Sequence, residues 1–392
     1  MSDRDTTARP DYQGGSIVNL MGSVREALGG RAGGYPPLRA LPPETLGGAR
    51  HVVLVVLDGL GYEYLRSVGA GGQLYAHLRG SMTSVFPTTT ASAVTTFLTG
   101  TAPQQHGLTG WFMHLRELGM VAAVLPFRSR GGWLSLEEAG IDPAAIMGCA
   151  PFADQLAVPA HIVTQQRIRN SAYSELTAGR AARHGYSDLD GFFGQIARLL
   201  HEARERCYIY AYWPQFDALA HPHGVASAPV REHFRAIDRA FGLFLESVAG
   251  TDAAVIVTAD HGFLDVGAGG YVELADHPEL ADCLSLPLCG EPRVAYCYVR
   301  PGSTSRFERY VQDHLSDRCW LYRSEELIHG GLFGAGAPHP RLADRVGDYA
   351  LVMKGEHAIK DTLVGETGFR PVGLHGGLSG AEMHVPLIVA EA

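Results

Sequence analysis

No stretch of this chain stays apolar for the ~20 residues a helix needs to span a bilayer; the longest uninterrupted aliphatic run is Val52 to Leu57. No membrane partner is therefore expected. Basic residues are in deficit, with 32 Lys+Arg against 41 Asp+Glu and a formal charge of −9. A protein that coats a nucleic-acid polymer or anionic lipid needs a basic footprint, and this one lacks it. The six cysteines (Cys149, Cys207, Cys283, Cys289, Cys297, Cys319) contain no C-x-x-C pair, so the expectation is reduced, mostly buried thiols. The first ten residues are polar and charged, without the apolar stretch of a secretory signal, which points to a cytoplasmic setting. Charged residues are sparse at 19% beside 46% hydrophobic, which excludes a disordered chain. No internal repeat or low-complexity tract appears.

What is present is a series of buried-strand signals. His51 to Leu57, Cys207 to Tyr212 and Ala253 to Ala259 are continuous apolar runs of strand length. Such runs suit strands covered on both faces of a parallel sheet. Val385 to Val389 reads as a last strand, Arg293 to Val299 and Tyr349 to Met353 as further strands, and Ser84 to Thr90 as a short strand and turn. A helix is predicted from about Thr90 to Leu98, stopped by Gly100. Phe192, Phe193, Ile196, Leu199 and Leu200 make one helical face. Val230, Phe234, Ile237, Phe241, Phe244, Leu245 and Val248 make a longer one. Alternation of strand and helix predicts an α/β fold, a mostly parallel central sheet with helices on both faces. In such sheets chemistry collects beyond the carboxyl ends of the strands.

That is where the informative residues fall. Asp58 follows the first strand, Asp217 and His221 the second, Asp260-His261 the third, and His375 lies in Gly373-Leu-His-Gly-Gly377. Taken singly, each has an ordinary reading as a turn former or helix cap. Together, three carboxylates and three imidazoles can supply three ligands to each of two divalent ions. This donor set suits zinc, with manganese or iron as possible occupants. Two ions side by side can stabilise the attacking and leaving oxygens of an in-line displacement at phosphorus. A nucleophile is available in Thr88-Thr89-Thr90, ahead of a helix whose N-terminus favours phosphate oxygens; one of the three could instead simply cap the helix. His106 is expected to brace a helix end, and His223 is a candidate support for a ligand.

The stretches that carry a family resemblance are Val55-Val-Leu-Asp-Gly-Leu60, Phe86-Pro-Thr-Thr-Thr-Ala-Ser-Ala-Val-Thr-Thr-Phe-Leu-Thr-Gly100, Pro103-Gln-Gln-His-Gly107, Asp217-Ala-Leu-Ala-His-Pro-His-Gly224, Thr258-Ala-Asp-His-Gly262 and Gly373-Leu-His-Gly-Gly-Leu-Ser379. In this order they resemble the alkaline phosphatase superfamily, and within it the type I phosphodiesterase/nucleotide pyrophosphatase family. The resemblance implies a three-layer αβα fold with an inserted cap. It implies Asp58, Asp260 and His261 as ligands of the metal beside the nucleophile, Thr90 as that nucleophile, and Asp217, His221 and His375 as ligands of a second metal. Tyr212 stands where related diesterases place an aromatic near the ligand, which implies a substrate-binding role. Many relatives carry an Asn shortly after the His-Gly that corresponds to His106-Gly107; here the stretch is Leu108-Thr-Gly-Trp111, leaving Thr109 or backbone amides to contact the phosphoryl oxygen.

The expected division is a lead-in over 1–48, a bimetal catalytic core from 49–123, 204–265 and 290–392, and insertions or cap at 124–203 and 266–289. Arg128, Arg130, Arg167 and Arg169 in the first insertion are candidates for substrate contact. The expected activity is metal-dependent hydrolysis of phosphodiester or pyrophosphate bonds in a small nucleotide-like substrate, through a phospho-threonine. A phosphonate hydrolase or phosphomonoesterase on the same scaffold is the alternative within enzymes. A binding or defence module similar to PglZ-type domains is the alternative outside them, although all six ligands and Thr90 are present.

Overall fold

The computed structural model describes residues 7–146 and 148–392. Its main sheet has seven strands, in the order Leu78–Thr83, His384–Glu391, Ala253–Thr258, His51–Leu57, Cys207–Trp213, Ala160–Gln165, Ala182–Tyr186. The five from Ala253–Thr258 onward are mutually parallel, and His384–Glu391 runs against them. The three central strands are buried along their whole length, as their unbroken apolar runs require. Helices Leu189–Glu202 and Ala228–Ser247 pack together, as do Ile17–Ala27 and Thr90–Thr99, and the sheet lies between helical layers as expected.

Register decides where the site forms. Leu57 pairs with Trp213 and Val56 with Thr258, so the three central strands end level. The residues that follow them, from Asp58, Pro214 and Ala259, emerge side by side.

Four sequence expectations change. Residues 84–89 form a loop between the Leu78–Thr83 strand and the Thr90–Thr99 helix, with a cis peptide at Phe86-Pro87. The lead-in over 1–48, whose residues 1–6 lie outside the described residues, contains a buried helix, Ile17–Ala27. Its Ile17, Val18, Leu20, Met21 and Val24 recur at helical spacing, but the surrounding Gly and Pro obscured the period. The stretch 124–203 does not stand apart: Ala160–Gln165 and Ala182–Tyr186 extend the main sheet. These strands lie at and next to the sheet edge and are only partly buried, so they carry no continuous apolar run. The strands near 294–297 and 349–353 belong to a second sheet, seven antiparallel strands that also include Phe112–Leu115 and Cys289–Glu291.

That second sheet alternates cleanly, as a sheet packed on both faces must. Ala295, Cys297, Leu351 and Met353 pack with Phe307 and Val311 on one side. Val294, Tyr296, Ala350 and Val352 pack on the other, with Phe86, Leu378 and Met383 from loops of the main domain. The second sheet thus buttresses the segments on either side of Thr90 and His375. Five of the six cysteines are buried.

Candidate active site

Asp58 and Asp260 leave adjacent parallel strands and meet at once. The Gly59 N–H donates to Asp260 Oδ1 at 3.0 Å, and so does the His261 N–H at 3.0 Å. Gly59 has a positive φ of 78°, and a Cβ there would fall 2.3 Å from the Phe263 ring, so only glycine fits the turn after Asp58. His261 Nε2 lies 3.4 Å from both Asp58 Oδ1 and Asp260 Oδ2. Asp217 and His221 sit one turn apart on helix Gln215–His223, which places both on one face, with His221 Nε2 3.3 Å from Asp217 Oδ1. His375 Nε2 reaches the same Asp217 oxygen at 3.7 Å.

All three imidazoles are aimed by a backbone carbonyl at Nδ1: Gly262 O for His261 at 3.1 Å, Gly373 O for His221 at 2.8 Å, and Thr88 O for His375 at 3.1 Å. Each Nδ1 carries its proton toward that carbonyl, which turns Nε2 toward the carboxylates. This is the outer support typical of metal-binding histidines.

The three threonines separate into three roles. Thr88 donates its hydroxyl to Gly377 O at 2.9 Å and accepts from the Gly376 N–H at 3.1 Å, pinning the His375 loop. Thr89 stands at the N-cap position of Thr90–Thr99, yet its hydroxyl does not cap the helix and donates to Glu291 Oε1 at 2.5 Å. Thr90 Oγ1 lies 3.2 Å from His261 Nε2. The capping alternative is thereby excluded, and the amides of the first helical turn carry no side-chain cap.

Electrostatics separates the carboxyls. Burial, reinforced by Asp260 and Asp217, pushes Asp58 well above the usual carboxylate range. Burial acts the same way on Asp217, but His221, His375 and His261 outweigh it and hold that carboxyl low. Burial disfavours charge on His221, yet Asp217 raises it to about 9. Burial, then His261 and His221, push His375 far down, so it is neutral.

The described residues group as two sets of donor atoms close enough to share a cation: Asp58, Asp260 and His261, and Asp217, His261 and His375. His221 joins the second set through its contact with Asp217. Three buried carboxylate oxygens have no hydrogen-bond donor: Asp58 Oδ1, Asp260 Oδ2 and Asp217 Oδ1. An uncompensated buried carboxylate costs several kcal/mol, so three at one spot facing the Nε2 atoms of three imidazoles form a donor set that fits divalent cations.

Tyr212 donates its hydroxyl to Asp58 Oδ2. Thr109 does not reach the cluster: it is fully buried and its hydroxyl donates to Arg345 O at 3.4 Å. His223 is exposed at the end of helix Gln215–His223. His106 is buried, accepts from the Leu108 N–H at 3.1 Å and contacts Thr96 at 3.3 Å, in keeping with a bracing role. Arg130 is tied to Asp361 and Glu366, and Arg128 is exposed with its guanidinium on Trp133 O.

A cavity of about 400 Å³ opens beside Thr90, Asp58 and Asp217. Its walls are chiefly apolar, with Val94, Leu98, Ile162 and Ile168 among them, and Arg167 and Trp111 also border it. Residues that sequence reasoning passed over are Glu291, Arg293 and Glu382. Arg293 and Glu382 form a buried ion pair at 3.0 Å, and Glu382 accepts from the Gly377 N–H at 2.8 Å. Their only sequence signal is a charge inside or beside an apolar run.

A parallel sheet with three carboxylates and three imidazoles at its carboxyl end, against a helix that begins with a threonine, defines a phosphoester hydrolase of the alkaline phosphatase superfamily. The sequence profile of the "Type I phosphodiesterase / nucleotide pyrophosphatase" family matches residues 52–377, and the chain belongs to that family. Murine ectonucleotide pyrophosphatase / phosphodiesterase 5 superposes with a TM-score of 0.65 at 17% identity, covering 86% of this chain and 87% of the other. An inactive variant of that enzyme in complex with AMP gives 0.64 at 18%, with the same coverage. Phosphonoacetate hydrolase from Sinorhizobium meliloti in complex with phosphonoformate gives 0.62 at 19%, covering 87% and 90%. At these identities the superpositions speak for the fold. No curated protein matches the sequence. No helix among the described residues is long and apolar enough to cross a membrane.

Proposed function

We propose that this protein is a metal-dependent hydrolase of phosphodiester or pyrophosphate bonds in a small, nucleotide-like substrate, acting through a covalent phospho-threonine on Thr90. The carrying observation is the position of Thr90 Oγ1. It begins an uncapped helix, lies 3.2 Å from His261 Nε2 and borders the cavity next to both ligand sets. Asp58, Asp260 and His261 would hold one cation, and Asp217, His221 and His375 the other; zinc suits these donors best, with manganese or iron as substitutes. Such ions, when bound, lower the pKa of a hydroxyl or water and offset charge on phosphoryl oxygens.

The phosphoryl group would sit over the Thr90–Thr99 N-terminus, where the amides of the first turn and the helix dipole favour its oxygens. The Thr90 hydroxyl gives up its proton to solvent as Oγ1 attacks phosphorus; the Oγ1–P bond forms as the bond to the leaving oxygen breaks, and that oxygen takes a proton from solvent. Water then attacks the phospho-threonine, the Oγ1–P bond breaks and Thr90 recovers its proton. Two in-line steps give net retention at phosphorus. Tyr212 holds Asp58, and the three carbonyl-bound imidazoles keep Nε2 facing inward throughout. The organic group of the substrate lies in the apolar cavity, whose walls exclude water from it. The structure of the same fold solved in complex with AMP supports a small nucleotide-like ligand in this reading.

The phosphonate alternative has one point in its favour, Arg167 at the cavity border, a cation that would suit a carboxylate on a phosphonate substrate. Turnover of bis-p-nitrophenyl phosphate, p-nitrophenyl phosphate and phosphonoacetate, with and without chelator, tests the reading. Chelator-sensitive hydrolysis of the diester is expected. Equal rates with and without chelator, or turnover of phosphonoacetate alone, would overturn it.

A further inference from the structure

One ionisable group at the site has no part in the scheme above. Glu291 ends the Cys289–Glu291 strand of the second sheet. Its Oε1 accepts from the Thr89 hydroxyl at 2.5 Å and from the Trp111 N–H at 2.8 Å. Thr89 precedes the nucleophile, and Trp111 borders the cavity. On its other side the stem of Glu291 packs where Gly376 lacks a side chain: a Cβ on Gly376 would come within 2.8 Å of Glu291 Cβ. Gly376 follows the ligand His375. Glu291 is therefore wedged between the loop of the nucleophile and the loop of a ligand. No arginine or lysine is paired with it in an ion pair among the described residues, and both of its hydrogen bonds fall on Oε1. Burial raises its carboxyl to about 7, and it senses the charges of His221 and Asp217.

A purely mechanical clamp between Thr89 and Trp111 would need a hydrogen-bond acceptor, and a neutral amide oxygen would serve. A carboxylate there adds something else, a fourth negative charge. Asp58, Asp217 and Asp260 already offset three of the four positive charges that two divalent cations bring. With those three alone the site would carry one net positive charge and favour a dianion. Ionised Glu291 brings the sum to zero, with its charge next to the residue that precedes Thr90.

We propose that Glu291 sets the charge of the phosphoryl group this enzyme accepts, discriminating against dianionic phosphomonoesters and in favour of monoanionic diesters. This rests on Thr90 and the two cation sites acting as proposed above. Repulsion between Glu291 and the second negative charge of a monoester acts in a partly desolvated site, where charge–charge interactions are stronger than in water.

The test compares wild type, Glu291→Gln and Glu291→Asp at alkaline pH, where Glu291 is ionised. Glutamine keeps an oxygen for Thr89 and Trp111 but removes the charge; aspartate keeps the charge and shortens the reach. The first readout is the ratio of kcat/KM for bis-p-nitrophenyl phosphate to that for p-nitrophenyl phosphate. It should fall about tenfold or more in Glu291→Gln and stay nearer wild type in Glu291→Asp. The second is calorimetric binding of phenylphosphonate, a dianion, against its monomethyl ester, a monoanion. Glu291→Gln should tighten the dianion relative to the monoanion by a similar factor. An unchanged ratio in Glu291→Gln, or an equal fall in both variants, would overturn the proposal. If the wild type turned over neither ester, the hydrolase reading would fail, while the binding comparison would still decide the role of Glu291.

Discussion

The two donor sets that would hold the cations differ in their access to water. Asp58, Asp260 and His261 keep 3%, 0% and 0% of their side chains exposed. Asp217 and His221 keep 16% and 29%. The enclosed set springs from the central strands themselves, where the parallel register fixes it, and it touches Thr90. The open set comes from a short helix and from a loop that returns from the far end of the chain. A buried, rigid set suits a cation that never leaves and acts on the nucleophile. An open set suits one that must meet the departing group and then admit water. The lesson is that the sheet places the enclosed half of the site, and a short helix and a loop place the half more open to solvent.

Removing the oxygen between the two sets should have the largest effect. Thr90→Ala is expected to lose at least about 10³-fold in kcat/KM while keeping both metal equivalents, measured by turnover and elemental analysis on the same sample. Loss of a metal equivalent instead would mean that Thr90 is a structural ligand first. Asp58→Asn and Asp217→Asn should each lose one equivalent, with activity down about 10²-fold or more. Dilute chelator should then distinguish the sets in wild type, stripping the open one first and giving two phases of metal release; a single phase would erase the contrast.

Protonation sharpens the same contrast. His221, held near 9 by Asp217 against the effect of burial, is protonated at neutral pH in the metal-free protein. Its proton must leave when a cation binds. Metal binding at neutral pH should thus release about one proton more in wild type than in His221→Gln, read by calorimetry in buffers of different ionisation enthalpy, and the difference should vanish above the titration of His221. The smallest effect belongs to Tyr212→Phe. Loss of its hydrogen bond to Asp58 should weaken metal affinity at the enclosed set about tenfold and leave the open set alone.

Much of this was legible in the sequence because central parallel strands are unmistakable. His51–Leu57, Cys207–Trp213 and Ala253–Thr258 are apolar throughout, and the acids that follow them had to emerge at one end of the sheet. The Asp217–His221 spacing needed only one helical turn. Less visible were elements whose burial depends on distant partners. The Ile17–Ala27 helix has the right period, but it sits in a Gly- and Pro-rich setting. Ala160–Gln165 and Ala182–Tyr186, at the sheet margin, mix polar and apolar residues. Thr109 is buried with its hydroxyl turned to Arg345 O, a placement its own loop sequence does not reveal. Glu291 was invisible, because a charged residue after a short apolar segment looks like any surface turn until Thr89 and Trp111 arrive from over 170 residues away.

The most direct measurement is the anomalous scattering of crystals grown with zinc. Two peaks are expected, one bounded by Asp58, Asp260, His261 and the Thr90 oxygen, the other by Asp217, His221 and His375. A single peak, none at all, or density bound elsewhere on the protein would contradict a two-cation centre at this threonine.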